Sequence, residues 1–159
     1  SGFVWELPGR PLRGWKLAAI ARRQSGSPLA VTQQPNLNAF AGFGIQRPNR
    51  LRDPYLAPEL RSPSRWFDTQ AFSAAPQFTL GNSSRNPARG PGYATLDLML
   101  GKTFALTERL SAEFRAEAFN STNTPPLGNP NGAFGTPAFG SITTALDPRV
   151  YEFVVKLHF

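Results

Sequence analysis

The sequence predicts an all-β fold, an antiparallel meander of about five strands with two long loops. Apolar and polar residues alternate in five separate segments of the 159-residue chain. The connections between these segments are alternately short and long. Gly and Pro supply 14 and 16 residues, near a fifth of the chain against a usual ~12%, and this composition favours turns over helices.

In each segment the apolar residues share one parity, as they do in a half-buried strand. The apolar positions, segment by segment, are Phe3, Trp5 and Leu7; Trp15, Leu17, Ala19 and Ala21; Leu96, Leu98 and Leu100; Leu110, Ala112, Phe114, Ala116 and Ala118; and Tyr151, Phe153, Val155, Leu157 and Phe159.

The fourth segment, "TERLSAEFRAEAFN", permits a second interpretation. Its Ala, Glu, Arg and Leu are good helix formers, and Leu110, Phe114 and Ala118 have helical spacing. A helix would place Ala112 and Ala116 opposite that apolar stripe, and the neighbouring segments are strands. We therefore favour a strand.

The connections predict an orientation. Short turns are expected at residues 8–14 and 105–108, and long loops at about 25–92 and 120–148. Loops beyond ~15 residues are uncommon in compact domains, but outer-membrane barrels combine short periplasmic turns with long extracellular loops. If the last strand runs toward the periplasm, both short turns are periplasmic and both long loops extracellular. We treat residues 1–159 as one segment of a transmembrane β-barrel.

The two parities predict two environments. Alternate residues would face hydrocarbon, and Trp15, Phe104, Tyr151 and Phe159 would lie in aromatic girdles near strand ends. Lys102 shares the apolar parity, so either it snorkels to the interface or Gly101 marks a bulge that shifts the register. The predicted lipid-facing residues are Leu96, Leu98, Leu100, Leu110, Phe114, Phe153, Val155 and Leu157. The predicted lumen-facing residues are Lys16, Arg22, Asp97, Glu113, Arg115, Glu117, Glu152 and Lys156.

The composition excludes several kinds of site. The chain has no Cys and one His, which excludes disulfides, thiolate metal sites and most His-based acid–base schemes. We expect no metal and no cofactor. The first ten residues lack a signal-peptide pattern, and no apolar run approaches the ~18–20 residues of a transmembrane helix.

Four segments resemble, in order and spacing, the C-terminal end of TonB-dependent-receptor-like proteins, in particular the Oar-like subgroup with a carboxypeptidase-regulatory domain that is abundant in Acidobacteria. The most specific parts are "GNSSRNPARGPGY…D" (Gly81 to Asp97), "FRAEAFN" and the terminal aromatic strand. The segments are "GWKLAAIARRQSGSPLAV", "WFDTQAFSAAPQFTLGNSSRNPARGPGYATLDLMLGKTF", "RLSAEFRAEAFNSTNTPPLGNPN" and "FGSITTALDPRVYEFVVKLHF".

The resemblance implies a barrel of about 22 strands around an N-terminal plug, which imports bulky substrates with energy from TonB. This sequence shows no plug, TonB box or carboxypeptidase-regulatory-like domain, and about five strands cannot close a barrel. We therefore expect a fragment that is not competent for transport alone. Its expected partners are outer-membrane lipid and lipopolysaccharide, the rest of the barrel and plug, and TonB through that plug.

The terminal strand predicts one further partner. Its pattern resembles the signal that the barrel-assembly machinery reads by strand addition. The alternative is an ordinary strand that happens to end in Phe. The expected signal residues are Tyr151, Phe153, Val155, Leu157 and Phe159.

The charged residues permit functional and structural interpretations. The lumen-facing carboxylates could be catalytic, but no nucleophile accompanies them, so we favour a ladder of cross-strand charge pairs and expect no enzyme activity. The basic first loop suits lipopolysaccharide phosphate or plain solvation better than nucleic acid, which we do not expect as a partner. The loop residues concerned are Arg47, Arg50, Arg52, Arg61, Arg65, Trp66, Arg85 and Arg89.

These observations predict a barrel segment of an outer-membrane receptor that takes up a bulky substrate. Two alternatives remain open. One is a small soluble basic β-rich module that binds a polyanion or nucleic acid, and the other is a surface adhesin-like barrel.

Overall fold

A computed structural model describes residues 1–6, 13–42 and 44–159. No helix within these residues is long and apolar enough to cross a membrane. The regular helical structure described is limited to short 3₁₀ turns at Ala39–Ala41, Pro58–Leu60 and Thr69–Ala71. The described strands are β1 Gly2–Glu6, β2 Trp15–Gln24, β3 Pro28–Leu29, β4 Thr32–Gln33, β5 Asn49–Arg50, β6 Phe72–Ser73, β7 Ala88–Arg89, β8 Tyr93–Ala105, β9 Ser111–Phe119, β10 Ala133–Phe134 and β11 Val150–His158.

The main sheet contains the long strands, in the order β1–β2–β8–β9–β11, and all its pairings are antiparallel. The predicted all-β antiparallel meander is therefore confirmed. Each of the five alternating segments forms one of these strands. Leu7 and residues 8–12 of the predicted first turn lie outside the described residues.

The contested fourth segment is strand β9. Its backbone pairs with β8 on one side and with β11 on the other, in an uninterrupted register that includes Leu100↔Ala116 and Phe153↔Ala116. Helical propensity is a weak preference that tertiary pairing overrides, and here both neighbouring strands supply backbone partners.

The turn between β8 and β9 begins slightly later than the sequence predicted. Strand β8 includes Ala105, and the connection runs from Leu106 to Leu110. The Leu106 amide donates to the Leu110 carbonyl at 2.9 Å, and the Leu110 amide donates to the Thr107 hydroxyl at 3.0 Å. The connection is therefore a short, internally bonded hairpin turn.

The chain divides into two compact units. The first is Ser1–Gln24, Tyr93–Pro126 and Leu146–Phe159, which contains the main sheet. The second is Ser25–Gly92 with Leu127–Ala145. Most of the residues predicted as two separate loops therefore build one folded unit, which we call the loop unit.

An aromatic cluster forms the core of the loop unit. Phe67 is 1% exposed, and its ring lies edge-on to Phe139 at 5.2 Å and to Phe72 at 6.1 Å between centroids. Phe134 packs against Phe139 in the same geometry. The buried residues of this core are Leu29, Val31, Phe67, Ala71, Phe72 and Ala88.

The side-chain amides of two buried glutamines form hydrogen bonds with backbone groups of the loop unit. Gln33 accepts from the Ala75 amide at 2.7 Å and donates to the Ala75 carbonyl at 3.0 Å. Gln46 accepts from the Leu37 amide and donates to the Thr79 carbonyl at 3.0 Å. Buried backbone groups need partners, and these side chains supply them where few strands do.

Candidate functional site

The register of the main sheet places the predicted lipid-facing and lumen-facing residues on opposite faces, except Leu110, which lies in the connection before β9 and outside the register. Direct pairs such as Ala19↔Leu98 and Leu98↔Ala118 belong to one face, and neighbouring pairs such as Met99↔Glu117 to the other. We call these the apolar face and the polar face. The apolar face contains Phe3, Trp5, Leu17, Ala19, Leu96, Leu98, Leu100, Ala112, Phe114, Ala116, Phe153, Val155 and Leu157.

Large side chains on the apolar face are open to the surroundings. Phe153 is 69% exposed and Val155 68% exposed. The nine residues from Trp15 to Arg23 of β2 correspond to about 20 Å of height at a typical barrel tilt. That is close to the apolar band of an outer-membrane barrel, about 25 Å.

Aromatic side chains mark both ends of the apolar face. Trp15 and Phe104 lie at the end of the sheet that carries the β8–β9 hairpin turn, and Tyr151 lies at the opposite end. Phe159 follows β11 and is fully exposed. This arrangement agrees with the predicted girdles.

Lys102 lies on the apolar face, at the hairpin end. Strand β8 pairs without interruption from Leu98 to Ala105, so Gly101 is not a bulge. Lys102 Nζ donates to the Arg13 carbonyl at 2.8 Å and lies 5.1 Å from the Trp15 ring centroid. Of the two interpretations of this lysine, the geometry favours snorkelling.

The polar face has its charges in a row along β9. Arg115 lies between two glutamates of its own strand, with Nε 3.7 Å from Glu113 and Nη1 3.4 Å from Glu117. The cross-strand pairing predicted for Arg115 is therefore wrong. Residues i and i+2 of a strand share a face, and the directly opposite position on β8 is Gly101, which has no side chain to offer.

Other polar-face charges do interact between strands. Glu113 lies 3.5 Å from His158 Nε2, diagonally across the β9–β11 pair. Lys156 is directly opposite Glu113 but forms no ion pair with it among the described residues, and Glu152 is directly opposite Glu117, a residue of the same charge. Lys16 pairs in register with Gly101. The face also carries apolar residues, among them Ile20, Met99 and Val154.

Asp97 connects three strands at the end of the sheet remote from the hairpin. Its carboxylate accepts from the Asn120 amide at 2.9 Å and lies 3.2 Å from Arg22 Nη1. Asn120 is buried and has a left-handed backbone (φ 48°). Its side chain in turn accepts from the Thr124 amide at 3.1 Å. We call Arg22, Asp97 and Asn120 the strand-end clamp, because their contacts lie where β9 ends and the next connection begins.

An open groove of about 460 Å³ lies beside the clamp within the first unit. Arg22, Asp97, Asn120 and Glu152 line it, together with Leu146. Its lining therefore combines charged and apolar groups. Within the described part of the chain, no group of three or more His, Cys, Asp or Glu residues could hold a metal ion.

Asp68 organises part of the basic loop. It is 8% exposed, and Arg52 Nη2 and Arg65 Nη2 lie 2.8 Å and 3.6 Å from its carboxylate. Asp68 also caps the 3₁₀ turn that follows it, since it accepts from the Gln70 amide at 3.1 Å. These two arginines therefore have a structural role.

Other basic-loop residues also have internal partners. The Trp66 indole donates to the Arg89 carbonyl at 2.9 Å, and Arg61 Cζ lies 5.8 Å from the Trp66 ring centroid. Arg89 donates to the Gly26 carbonyl at 3.2 Å. Contacts connect five of the predicted loop residues, since Arg52 and Arg65 share Asp68 and Arg61 and Arg89 both contact Trp66. Among the described residues, no ion pair involves Arg47, Arg50 or Arg85.

Strand β11 forms one edge of the main sheet. It pairs with β9 through Val150 to His158, and within the described residues its other edge has no strand partner. The Phe153 ring stacks on Phe114 with centroids 6.2 Å apart. Four of the five predicted signal residues, Tyr151, Phe153, Val155 and Leu157, thus share the apolar face at this edge, and Phe159 lies beyond the paired residues.

Sequence reasoning missed the residues that organise connections. The sequence patterns assigned no structural role to Asn120, Gln33 or Gln46. An Asn at a strand end, followed by Ser and Thr, is a recognisable local-turn signal. Nothing in the local sequence indicates the contacts of the two glutamines, because their partners are up to 42 residues away.

Residues 3–152 match a family model described as "Outer membrane beta barrel domain". Neither the curated proteins nor the solved structures gave a match. The matched residues include the loop unit and the main sheet as far as Glu152 in β11, and the match agrees with a two-faced antiparallel sheet. The protein is located in the cell outer membrane, and the chain belongs to the outer membrane β-barrel domain family.

Proposed function

We propose that this chain is the C-terminal barrel segment of a TonB-dependent outer-membrane receptor that takes up a bulky substrate. The observation that carries the proposal is the contact between two segments in which the sequence most specifically resembles such receptors. The first ends at Asp97 and the second at Asn120, and the Asn120 amide donates to Asp97 at 2.9 Å. Residues from the two segments that carry the resemblance therefore contact each other in the folded chain.

The polar face supports a role as the lumenal wall of a transporter. Glu113, Arg115 and Glu117 are 20–28% exposed in their side chains and form a fixed row of opposite charges. Such a row can contact a plug or a polar substrate without presenting a single sign of charge. An enzyme active site is not part of this proposal.

The apolar face contacts membrane lipid, and the loop unit is extracellular in the predicted orientation. Arg47, Arg50 and Arg85 are the basic-loop residues that remain for lipopolysaccharide phosphate. We do not include nucleic acid among the partners. The family membership favours a membrane barrel over the soluble basic binding module.

The test uses the complete gene. Its deletion should abolish growth on one class of bulky substrate, siderophores or oligosaccharides for example, and deletion of TonB should have the same effect. Uptake that is independent of TonB would contradict the proposal and indicate a passive pore. Unchanged uptake together with lost attachment to surfaces would favour the adhesin-like barrel.

The terminal strand has a separate role in this proposal, as the signal for the barrel-assembly machinery. Its support is the free edge of β11 and the exposure of Tyr151 and Phe159, 58% and 100%. Phe159→Ala in the full-length protein should lower its level in isolated outer membranes. The matched control is His158→Ala, on the polar face, which should not. Equal levels of both variants would contradict the signal.

A further inference from the structure

The hairpin end of the apolar face carries a positive charge that the described protein does not neutralise. Lys102 Nζ contacts the Arg13 carbonyl and lies near two rings, 5.1 Å from Trp15 and 5.7 Å from Phe104. Within the described residues, no carboxylate oxygen lies within 4.0 Å of Nζ. An ammonium group has three donors, and only one is used by this carbonyl.

The surroundings of Lys102 indicate what could use the other two donors. Lys102 is three residues from the end of β8, which places it about 7–8 Å in height from the hairpin turn at a typical tilt. Hydrocarbon cannot supply a hydrogen-bond acceptor, whereas the headgroup layer at this depth can. The rings of Trp15 and Phe104 are aromatic groups of the kind that occupies that layer.

The charges at this end favour an anionic acceptor. Arg13, before β2, and Arg109, in the hairpin turn, are both exposed. Glu108 in the same turn forms no ion pair with a described residue. In the predicted orientation this end faces the periplasmic leaflet of the outer membrane, which is made of phospholipid.

We propose that Lys102, between the rings of Trp15 and Phe104, binds the headgroup phosphate of an anionic phospholipid in the periplasmic leaflet. The two donors of Nζ that form no hydrogen bond with a described residue contact the phosphate oxygens, and the rings lie against the upper acyl chain. This inference rests on the membrane placement of the apolar face and on the predicted orientation, and not on the transport function. It assigns this end of the sheet a preference for lipid type.

Trp15 provides the reporter for the test. In the full-length protein every tryptophan other than Trp15, Trp5 and Trp66 among them, is replaced by phenylalanine, so that Trp15 alone fluoresces. The protein is reconstituted in phosphatidylcholine vesicles. Brominated phosphatidylglycerol and brominated phosphatidylcholine are compared as quenchers at equal mole fraction. Phosphatidylglycerol should be enriched about fivefold at Trp15, which corresponds to ~1 kcal/mol for one cation near the membrane surface.

Three variants distinguish lipid binding at Lys102 from a general electrostatic attraction of anionic lipid to the protein. Lys102→Gln should reduce the enrichment to near onefold, and Lys102→Arg should retain it. Lys16→Gln, next to Trp15 but on the polar face, should leave it unchanged. Quenching by brominated phosphatidylcholine verifies that each variant is inserted. Equal quenching by both lipids in the parent, or enrichment that persists in Lys102→Gln, would overturn the proposal.

Discussion

Leu98 and Met99 are adjacent residues near the middle of β8, and their side chains lie on opposite faces of the main sheet. Leu98 is flanked in register by Ala19 and Ala118, and Met99 by Ala18 and Glu117. A lysine at Leu98 would enter hydrocarbon with no anionic neighbour. The expected loss in free energy of unfolding is about 2–4 kcal/mol, the cost of a lysine on the lipid face at the midplane.

The same lysine at Met99 is the matched control. It would lie opposite Glu117, on the hydrated face if the polar face lines the lumen. Its effect should stay within about 1 kcal/mol, as for a partly solvated ion pair.

Both variants are measured by guanidinium titration in phosphatidylcholine vesicles, followed by tryptophan fluorescence. A second measurement, the amount of full-length protein in isolated outer membranes, covers the case in which Leu98→Lys fails to fold. The reasoning is refuted if Met99→Lys loses as much as Leu98→Lys, or more. That result would mean that the assignment of the two faces is reversed or that neither face contacts lipid.

Three further predictions concern the connections. Asp97→Ala should lower the free energy of unfolding by about 1–3 kcal/mol and speed proteolysis near residue 120, because it leaves the buried Asn120 amide without its acceptor. The control is Arg22→Ala, whose side chain is 59% exposed and whose loss should be under about 1 kcal/mol. Equal losses in the two variants would contradict the role of Asp97. Phe67→Ala should cost about 3–5 kcal/mol and make residues 25–92 protease-sensitive, while Phe40→Ala, at a side chain 65% exposed, serves as the control and should have little effect. Gly26→Ala should lower the thermal midpoint, because its Cβ would clash with the Gly90 carbonyl oxygen, whereas Gly101→Ala meets ordinary contacts of 3.5 Å or more and should leave the midpoint unchanged.

Much of the main sheet was predictable because its signal is local. A period of two needs only adjacent residues, and it was sufficient to assign Leu98, Glu117 and Phe153 to their faces. The segment 107–120 was ambiguous because its helical propensity is also a local signal, and only the pairing of β9 with two neighbours decides between them.

The loop unit was not predictable in the same way. Asp68 accepts a hydrogen bond from Arg52, 16 residues away in the sequence, and Gln33 accepts one from the Ala75 amide, 42 residues away. Such contacts leave no periodic pattern. For the same reason, the arginines of the basic loop looked like a surface for polyanions, although Arg52 and Arg65 stabilise a buried carboxylate.

The interleaving of the loop unit with the sheet has a consequence for the order of folding. The parallel pair β4–β10 joins Thr32 to Ala133, roughly 100 residues apart in the chain, and the whole β8–β9 hairpin lies between them. Contacts of such high contact order form late, because loop closure must come first. Until residues 127–145 arrive, Gly132 and Phe134 cannot supply backbone acceptors to Thr32 and Gln34. During assembly the loop unit would therefore stay unfinished and protease-sensitive until residues 127–145, which follow the β8–β9 hairpin in the chain, have joined it.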